Sequence, residues 1–501
     1  MAGSSNSKRN QRASVPLSSV PGNTSAGGGK LPLNEDPIFK EKMALAVIRH
    51  GYPLTFFEDR RNQEMMAYLN PNLKPLSRKE TVANCLDVFE KERTKLKHAL
   101  GSIPGRLCLT CDSWVDPCTR EYLCLTVNYV DSNWKLQSKF LHLARLPFPR
   151  DASILRSEVY NLLCKWGIEK KVFSITSDSR RCGDTVQDML RDFLNEQDGA
   201  LLCNGDYLHV RCGAHFMDQM AQACFKLIDR PIRNKLLKPL NDMANLFLRT
   251  EHPTANSYFI NVLNIGLVLV DALEDKDLEI SNLARTLKSE FDVYWDACNE
   301  VLALAIIFDP RYKLSFVKFC YEKLDKESAE NRYLCTRRRL DRLFKTYSDQ
   351  VFASQMNEMK DDTIREFEIE CREKEYDSCK SSLNVYLNEP SVSCQKKMDV
   401  LSWWKENEPS FGQALSLMAR DILSIPITSF SKDSVFGMGY RVEDRLTSNW
   451  SSDCAEALIA TRNWLFGYPV DDESPPGGLK GLEQRFWRTA CEEESDSTFQ
   501  K

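Results

Sequence analysis

Two aspartates sit where short β-rich runs stop. Asp112 closes the run Arg106–Asp112 (RLCLTCD), and Asp178 closes Val172–Asp178 (VFSITSD). Carboxylate oxygens are the ligands that hard cations such as Mg²⁺ prefer; the plainer alternative is that both residues cap their strands or line an empty acidic pocket. Two groups of softer ligands stand close by in sequence. Cys108 and Cys111 have Cys-x2-Cys spacing, yet residues three apart on a strand face opposite sides of a sheet, so they cannot readily share a zinc ion. His209, Cys212 and His215 straddle a strand end and a helix start. Convergence is geometrically open there, but a fourth ligand is not visible, and packing with hydrogen bonding is the simpler expectation.

Such residues need a sheet to position them, and the hydrophobic pattern supplies one. After Gly101 and Gly105, period-two alternation predicts three consecutive strands at Arg106–Asp112, Tyr122–Val130 and Trp134–Ala144, the last two joined by the turn Asp131-Ser132-Asn133. A helix over about Ala152–Gly167 follows, then the run ending at Asp178, a helix over about Asp184–Asn195, and a last strand at Tyr207–Cys212. Three meandering strands, a helix, then two strands separated by a helix is the order of a ribonuclease H-like α/β domain.

The flanking regions read as helical. Before the sheet, Phe39, Met43, Ala46, Val47 and Ile48 share one face, and Ser77-Arg78-Lys79-Glu80 has the form of a capping box. From His215 onward helices are expected at 215–227, 241–249, 258–273, 278–308 and 316–324, with Asp309-Pro310-Arg311-Tyr312 as a turn. Residues 325–380 are dense in balanced charge and read as a solvated helix or linker. Near the end, Leu415, Met418, Ala419, Ile422 and Leu423 recur at helical spacing until Ile425-Pro426 stops them, and a second helical run covers Ala455–Trp464. That apolar surface must pack on an earlier domain, a partner subunit, or both.

The bulk composition is that of an ordinary globular protein of two or three domains: 501 residues, 42% hydrophobic, 28% charged, net charge −4. Nucleic-acid contact must come from local patches, because the chain is not basic throughout. The 18 cysteines are scattered, and the start MAGSSNSKRNQR has no apolar stretch of a secretory signal, so reduced thiols are expected. The longest apolar run, Ile260–Ala272, is broken by polar residues and is too short for a membrane span. Residues 1–36 read as a disordered tail in which Lys8, Arg9 and Arg12 could serve nuclear import.

With these residues placed, the chain resembles the hAT superfamily of DNA transposases, and within it the plant domesticated members of the SLEEPER type. The similar segments are LTCDSW (109–114), WGIEKKVFSITSDS (166–179), NGDYLHVRCGAH (204–215), HPTANSYF (252–259), FDPRYKL (308–314), LNVYLNEP (383–390) and the 401–465 stretch, in the family's order. The resemblance implies an α/β plus α fold: a ribonuclease H-like core interrupted by a helical insertion, with a C-terminal segment that completes the core and dimerises. It also implies an N-terminal BED-type zinc finger; no Cys-x2-Cys followed by a His pair stands here, and the sequence is expected to start after it. The divisions so implied are a tail (1–36), a helical lead-in (37–104), the first part of the core (105–230), a truncated insertion (231–324), a charged linker (325–382), the dimerisation region (383–466) and a second tail (467–501).

By the same resemblance Asp112 and Asp178 match the first two of three metal-binding acidic positions. The third, a Glu in the family, falls on Asp433, which is one methylene shorter. Between Leu227 and His252 only about two dozen residues stand where the family has a much longer stretch bearing an Arg-Trp pair. The expectation is therefore a nuclear, transposase-derived protein without catalysis, holding no cofactor, with Mg²⁺ only if activity is retained. Its partners would be a second copy or related hAT chains, with DNA contact weakened by the absent finger and no membrane. Dimerisation would rest on Trp403, Trp404, Leu415, Met418, Ile422, Leu458, Ile459, Trp464 and Leu465, the same residues that could build an intramolecular core. The alternatives are a metal-dependent DNA transposase or nuclease, and a pure heterodimerising partner that does not touch DNA.

Overall fold

The computed structural model describes residues 36–71, 73–115, 121–145, 152–177, 184–197, 201–225, 254–358, 381–428 and 452–467, with residues 364 and 368 singly. The expected tails and the helix expected at 241–249 fall outside these residues, apart from the two positions at the tails' inner ends.

Three helices precede the sheet: α1 (Pro37–His50), α2 (Arg60–Leu69) and α3 (Arg78–Ser102). α1 begins at Asp36, whose carboxylate accepts from the Ile38 amide at 2.9 Å, with Pro37 in the first helical position. α3 opens on the capping box expected from sequence: Ser77 Oγ accepts from the Glu80 amide, and Glu80 Oε2 accepts from the Ser77 amide at 2.8 Å.

The strands are β1 (Leu107–Val115), β2 (Glu121–Val130), β3 (Leu136–Arg145), β4 (Val172–Ser177) and β5 (His209–Arg211), in sheet order β3-β2-β1-β4-β5. β1, β2 and β3 form an antiparallel meander, whereas β4 lies parallel to β1 and β5 parallel to β4. A parallel neighbour needs a crossover, and α4 (Ala152–Trp166) and α5 (Asp184–Glu196) provide the two. The result is the ribonuclease H-like sheet.

Side-chain alternation sorts the strands between two cores. Leu107, Leu109 and Cys111 of β1 join Val172 and Ile175 of β4 against α3, α4 and α5. Cys108 and Phe173 face the other way, into a larger core built with α6 (Gly213–Phe225), α7 (Ala255–Leu273), α8 (Leu278–Ile307), α9 (Lys313–Leu324), α10 (Ala329–Glu358), α11 (Ser382–Asn388) and α12 (Val400–Leu423). The last helix, α13 (Ser452–Phe466), returns to the front of the chain: Ala455, Ala457 and Ala460 cover Tyr122, Cys124, Phe140 and Phe89, while Cys454 and Leu458 join the core of α1–α3.

Two expectations are corrected. The apolar run at 260–272 belongs to α7, a 19-residue helix long and apolar enough to cross a membrane, but Ala255, Tyr258, Phe259 and Val262 are fully buried inside the large core. The charged stretch is not a linker over its first part. Residues 329–358 form one helix whose inner row, Leu340, Leu343 and Tyr347, is at most 3% exposed. Its basic run is matched by acids distant in sequence: Arg332 meets Asp296 at 2.8 Å, Arg339 pairs with Glu300, and Arg342 pairs with Asp206. Surface pairs of this kind contribute about 0–1 kcal/mol each, so the buried row is what holds α10 in place.

Candidate functional site

The sheet register places the stretch of β1 that carries Asp112. β1 and β4 are adjacent and parallel, and Cys111 lies opposite Ser177. The next position along β1 is Asp112, which pairs with Cys124 on its other side; the next along β4 is Asp178, outside the described residues. This is the carboxyl end of the parallel strands, where open α/β sheets form their binding crevices.

The chain segment 425–428 is stitched to the same end. Thr176 Oγ1 donates to the Pro426 carbonyl at 2.5 Å, the Gly213 amide to Ile427 O at 2.7 Å, and the Ala255 amide to Ile425 O at 3.1 Å. Thr428 Oγ1 lies 3.6 Å from Cys212 Sγ. The segment 425–428 is thus wedged among the end of β4, the start of α6 and the start of α7. Gly213 permits this closeness, since a Cβ there would stand 2.4 Å from the Tyr258 hydroxyl. Asp433 lies five residues beyond Thr428, outside the described residues. Behind β4, the buried Gln187 of α5 donates to Ser177 Oγ at 3.0 Å and ties that helix to the strand end.

Among the described residues no three His, Cys, Asp or Glu side chains converge to hold a metal ion. The described part of the rim supplies the Asp112 position alone, so no chemical step is assigned to a metal here. Cys108 and Cys111 enter opposite cores, as their spacing on a strand requires. Cys108 Sγ instead contacts Ser424 Oγ at 3.3 Å and Asp421 O at 3.5 Å, and burial pushes its thiol up to about 12. His209 stands on β5 and His215 on α6, with the buried Cys212 between them facing Thr428.

The C-terminal block is fixed to the sheet by Trp404, named above, and by charged residues that sequence reasoning passed over. α12 is bent at Gly412 (φ 74°, ψ 170°) just after Pro409. Before the bend, Trp404 is fully buried and donates through Nε1 to Phe308 O at 2.8 Å. Its ring lies within 6.4 Å of Trp134, which occupies the left-handed region (φ 60°) in the β2–β3 turn. After the bend, the Arg420 guanidinium lies 4.1 Å over the Trp134 ring and donates to Asp131 O at 2.7 Å. Its neighbour Asp421 is 1% exposed and accepts from the Arg106 amide at 2.8 Å and from the Tyr347 hydroxyl. Burial outweighs both hydrogen bonds and pushes the Asp421 carboxyl up to about 6. Lys313, 3% exposed and at φ 54°, donates to Tyr386 O at 2.6 Å and Glu389 O at 2.9 Å, clipping FDPRYKL to LNVYLNEP. Charged residues inside apolar runs (Asp421 in LMARDIL) were the available signal.

Comparison with known families agrees with this arrangement. Residues 110–207 match the ZBED1 RNase-like domain, residues 256–347 the hAT-like transposase, RNase-H fold, and residues 382–465 the hAT family C-terminal dimerisation region. The chain belongs to the hAT transposase family. Its similar proteins include the zinc finger BED domain-containing protein DAYSLEEPER of Arabidopsis thaliana, 25% identical over 85% of this chain and 73% of the relative. Others are RICESLEEPER 2 of Oryza sativa subsp. japonica, 25% identical over 86% of this chain and 75% of the relative, and the putative AC transposase of Zea mays, 23% identical over 86% and 65%.

In this hAT chain the second match spans α7, α8, α9 and much of α10, a stretch divided above between insertion and linker. The structure places these helices in the same core as Cys108 and Phe173 of the sheet. Within the hAT dimerisation region, Trp404, Leu415, Met418, Ile422 and Leu458 are buried by the chain itself. Trp403, Ile459 and Trp464 are half-buried, Trp464 donating to Phe140 O at 2.6 Å, and Leu465 is 37% exposed.

Proposed function

We propose that this hAT-family chain acts in the nucleus as a dimerising, DNA- or chromatin-associated protein that does not cut DNA. The observation that carries the reading is the C-terminal block: the region matching the family's dimerisation model is packed, through Trp404, Arg420 and the 425–428 segment, onto the sheet that carries Asp112. A partner engaging this block is therefore held rigidly against the strand-end rim. That partner is a second copy of the chain or a related hAT chain. DNA association rests on the family and on relatives named as zinc finger BED domain-containing proteins.

Absence of catalysis rests on Asp433. Its side chain is one methylene, roughly 1.5 Å, shorter than the Glu expected in that place, and a misplacement of about 1 Å can cost about 10²-fold in rate. A second reading, a metal-dependent transposase or nuclease, draws support from Asp112 on β1, whose parallel neighbour β4 ends at Ser177, the residue before Asp178 in the sequence. Incubating the purified chain with duplex DNA and Mg²⁺ separates the two. The proposal expects no cleavage above that of Asp112→Asn; Mg²⁺-dependent cleavage abolished by Asp112→Asn overturns it in favour of the enzyme. Duplex binding that weakens steeply with salt supports direct DNA association, and its absence favours a partner that works only through related chains.

A further inference from the structure

α9 carries an aromatic stripe that the core does not use up. Tyr312 at the head of the helix, Phe316 and Phe319 follow one another at i, i+4 and i+7, on one side of the helix. Their ring centroids are 4.7 Å apart for Tyr312–Phe316 and 6.4 Å for Phe316–Phe319, the latter pair inclined by only 26°. Phe316 leans on Phe259 of the core, so the stripe has a rigid base. Its outer end is open: Phe319 is 52% exposed.

Cations frame these rings. Arg311 lies 5.3 Å from the centre of the Tyr312 ring and Lys323 lies 5.6 Å from that of Phe319. The loop before α12 meets the turn at the head of α9, where the Val392 amide donates to Pro310 O at 2.9 Å, and four and five residues further along it carries the exposed Lys396 and Lys397. Arg311 is committed to the buried Asp309, and Lys318 to Glu330. Lys323, Lys396 and Lys397 have no ion-pair partner among the described residues. The exposed acids closest in sequence are Glu322 and Asp325, on either side of Lys323, and Asp399, which caps α12.

Flat rings with Lys323 beside the outermost, and two further exposed lysines on the loop that meets the head of the helix, suit a partner with stacked planes and a charged backbone. An apolar protein helix would leave those lysines facing nothing of opposite sign. We propose that this face of α9 is a stacking platform for single-stranded nucleic acid, with bases on Phe319 and Phe316 and phosphates on Lys323, Lys396 and Lys397. Stacking on exposed rings is tolerant of sequence, since every base has a π face. The inference shares a nucleic-acid partner with the proposed function, but it concerns unpaired strands and a surface other than the rim.

Fluorescence anisotropy of the full chain with a labelled oligothymidylate of about 20 nucleotides, and separately with a duplex, tests it. Phe319→Ala is expected to weaken single-strand binding about tenfold or more, with Phe319→Trp restoring it and duplex affinity unchanged. Lys396→Ala with Lys397→Ala is expected to lower the slope of log affinity on log salt by roughly 1.4. An unshifted unfolding midpoint in each variant shows that the fold is kept. Wild-type binding to duplex but not to single strands overturns the inference and leaves the proposed function standing. Unchanged single-strand affinity in the variants overturns it as well, and if Phe319→Ala then dissociates a dimer, the stripe is a protein contact.

Discussion

Asp421 interrupts a run of core residues, yet its carboxyl is buried between the Tyr347 hydroxyl and the Arg106 amide. Its acidity is weakened in the folded state, to about 6 from the ordinary 3.8, because burial disfavours the charge. The native state therefore holds this proton more tightly than the unfolded chain. Stability from this group is full below about pH 4 and is lost as pH rises through about 6, with a span of at most about 3 kcal/mol. Asp421→Asn keeps the hydrogen-bonding shape without the charge. Its unfolding midpoint, measured against wild type, should rise between acid and mildly alkaline pH, and a constant difference would contradict this account. Single residues were unevenly legible beforehand. The opposite facing of Cys108 and Cys111 followed from strand geometry alone, whereas Asp112, read as closing its strand, stands inside β1, which runs on to Val115. Asp421, Arg420 and Lys313 could be read as charges in apolar surroundings, but their partners lie far off in sequence and only the fold names them.

Helices and strands were read most securely where one local rule dominates. The capping box at Ser77 and Glu80, the Ile425-Pro426 stop and the alternation of β1–β3 are such cases, and each recurs in the structure. α10 reads as a solvated helix or linker because its surface row is so charged that the buried row scarcely shows; the helix is there, but one face of it is core. Its acids at Asp206, Asp296 and Glu300 lie on other elements, so local balance of charge looked like solvation. Leu340 is fully buried on that helix. Leu340→Ala should therefore cost about 2–5 kcal/mol in chemical denaturation, whereas a loss below about 0.5 kcal/mol, typical of a surface site, would mean that the helix is peripheral. The bend at Gly412 escaped notice for another reason: a glycine three residues after a proline is common in loops, and only the flanking helical turns give it meaning.

At the scale of the whole molecule, the order of elements along residues 105–212 was enough to anticipate the ribonuclease H-like sheet. That the chain's end should return to its beginning was not legible from periodicity. Phe140 of β3 accepts from Trp464 and donates from its amide to Asn463, contacts that span more than 300 positions; the resemblance alone suggested such a return. Closure has a consequence for assembly. Much of the apolar surface of the dimerisation region is consumed within the chain, so a partner must meet what remains: Trp403 and Val385 (43% exposed) on α12 and α11, or Ile459, Leu465 and Phe466 (38% exposed) on α13. Association through this block is the central claim, and light scattering coupled to size-exclusion chromatography tests it most directly. At micromolar concentration the account predicts a mass of twice 57.6 kDa, falling toward the single-chain value when Leu465 and Phe466 are both changed to Asp. A wild-type chain that elutes at the single-chain mass throughout that range would contradict it.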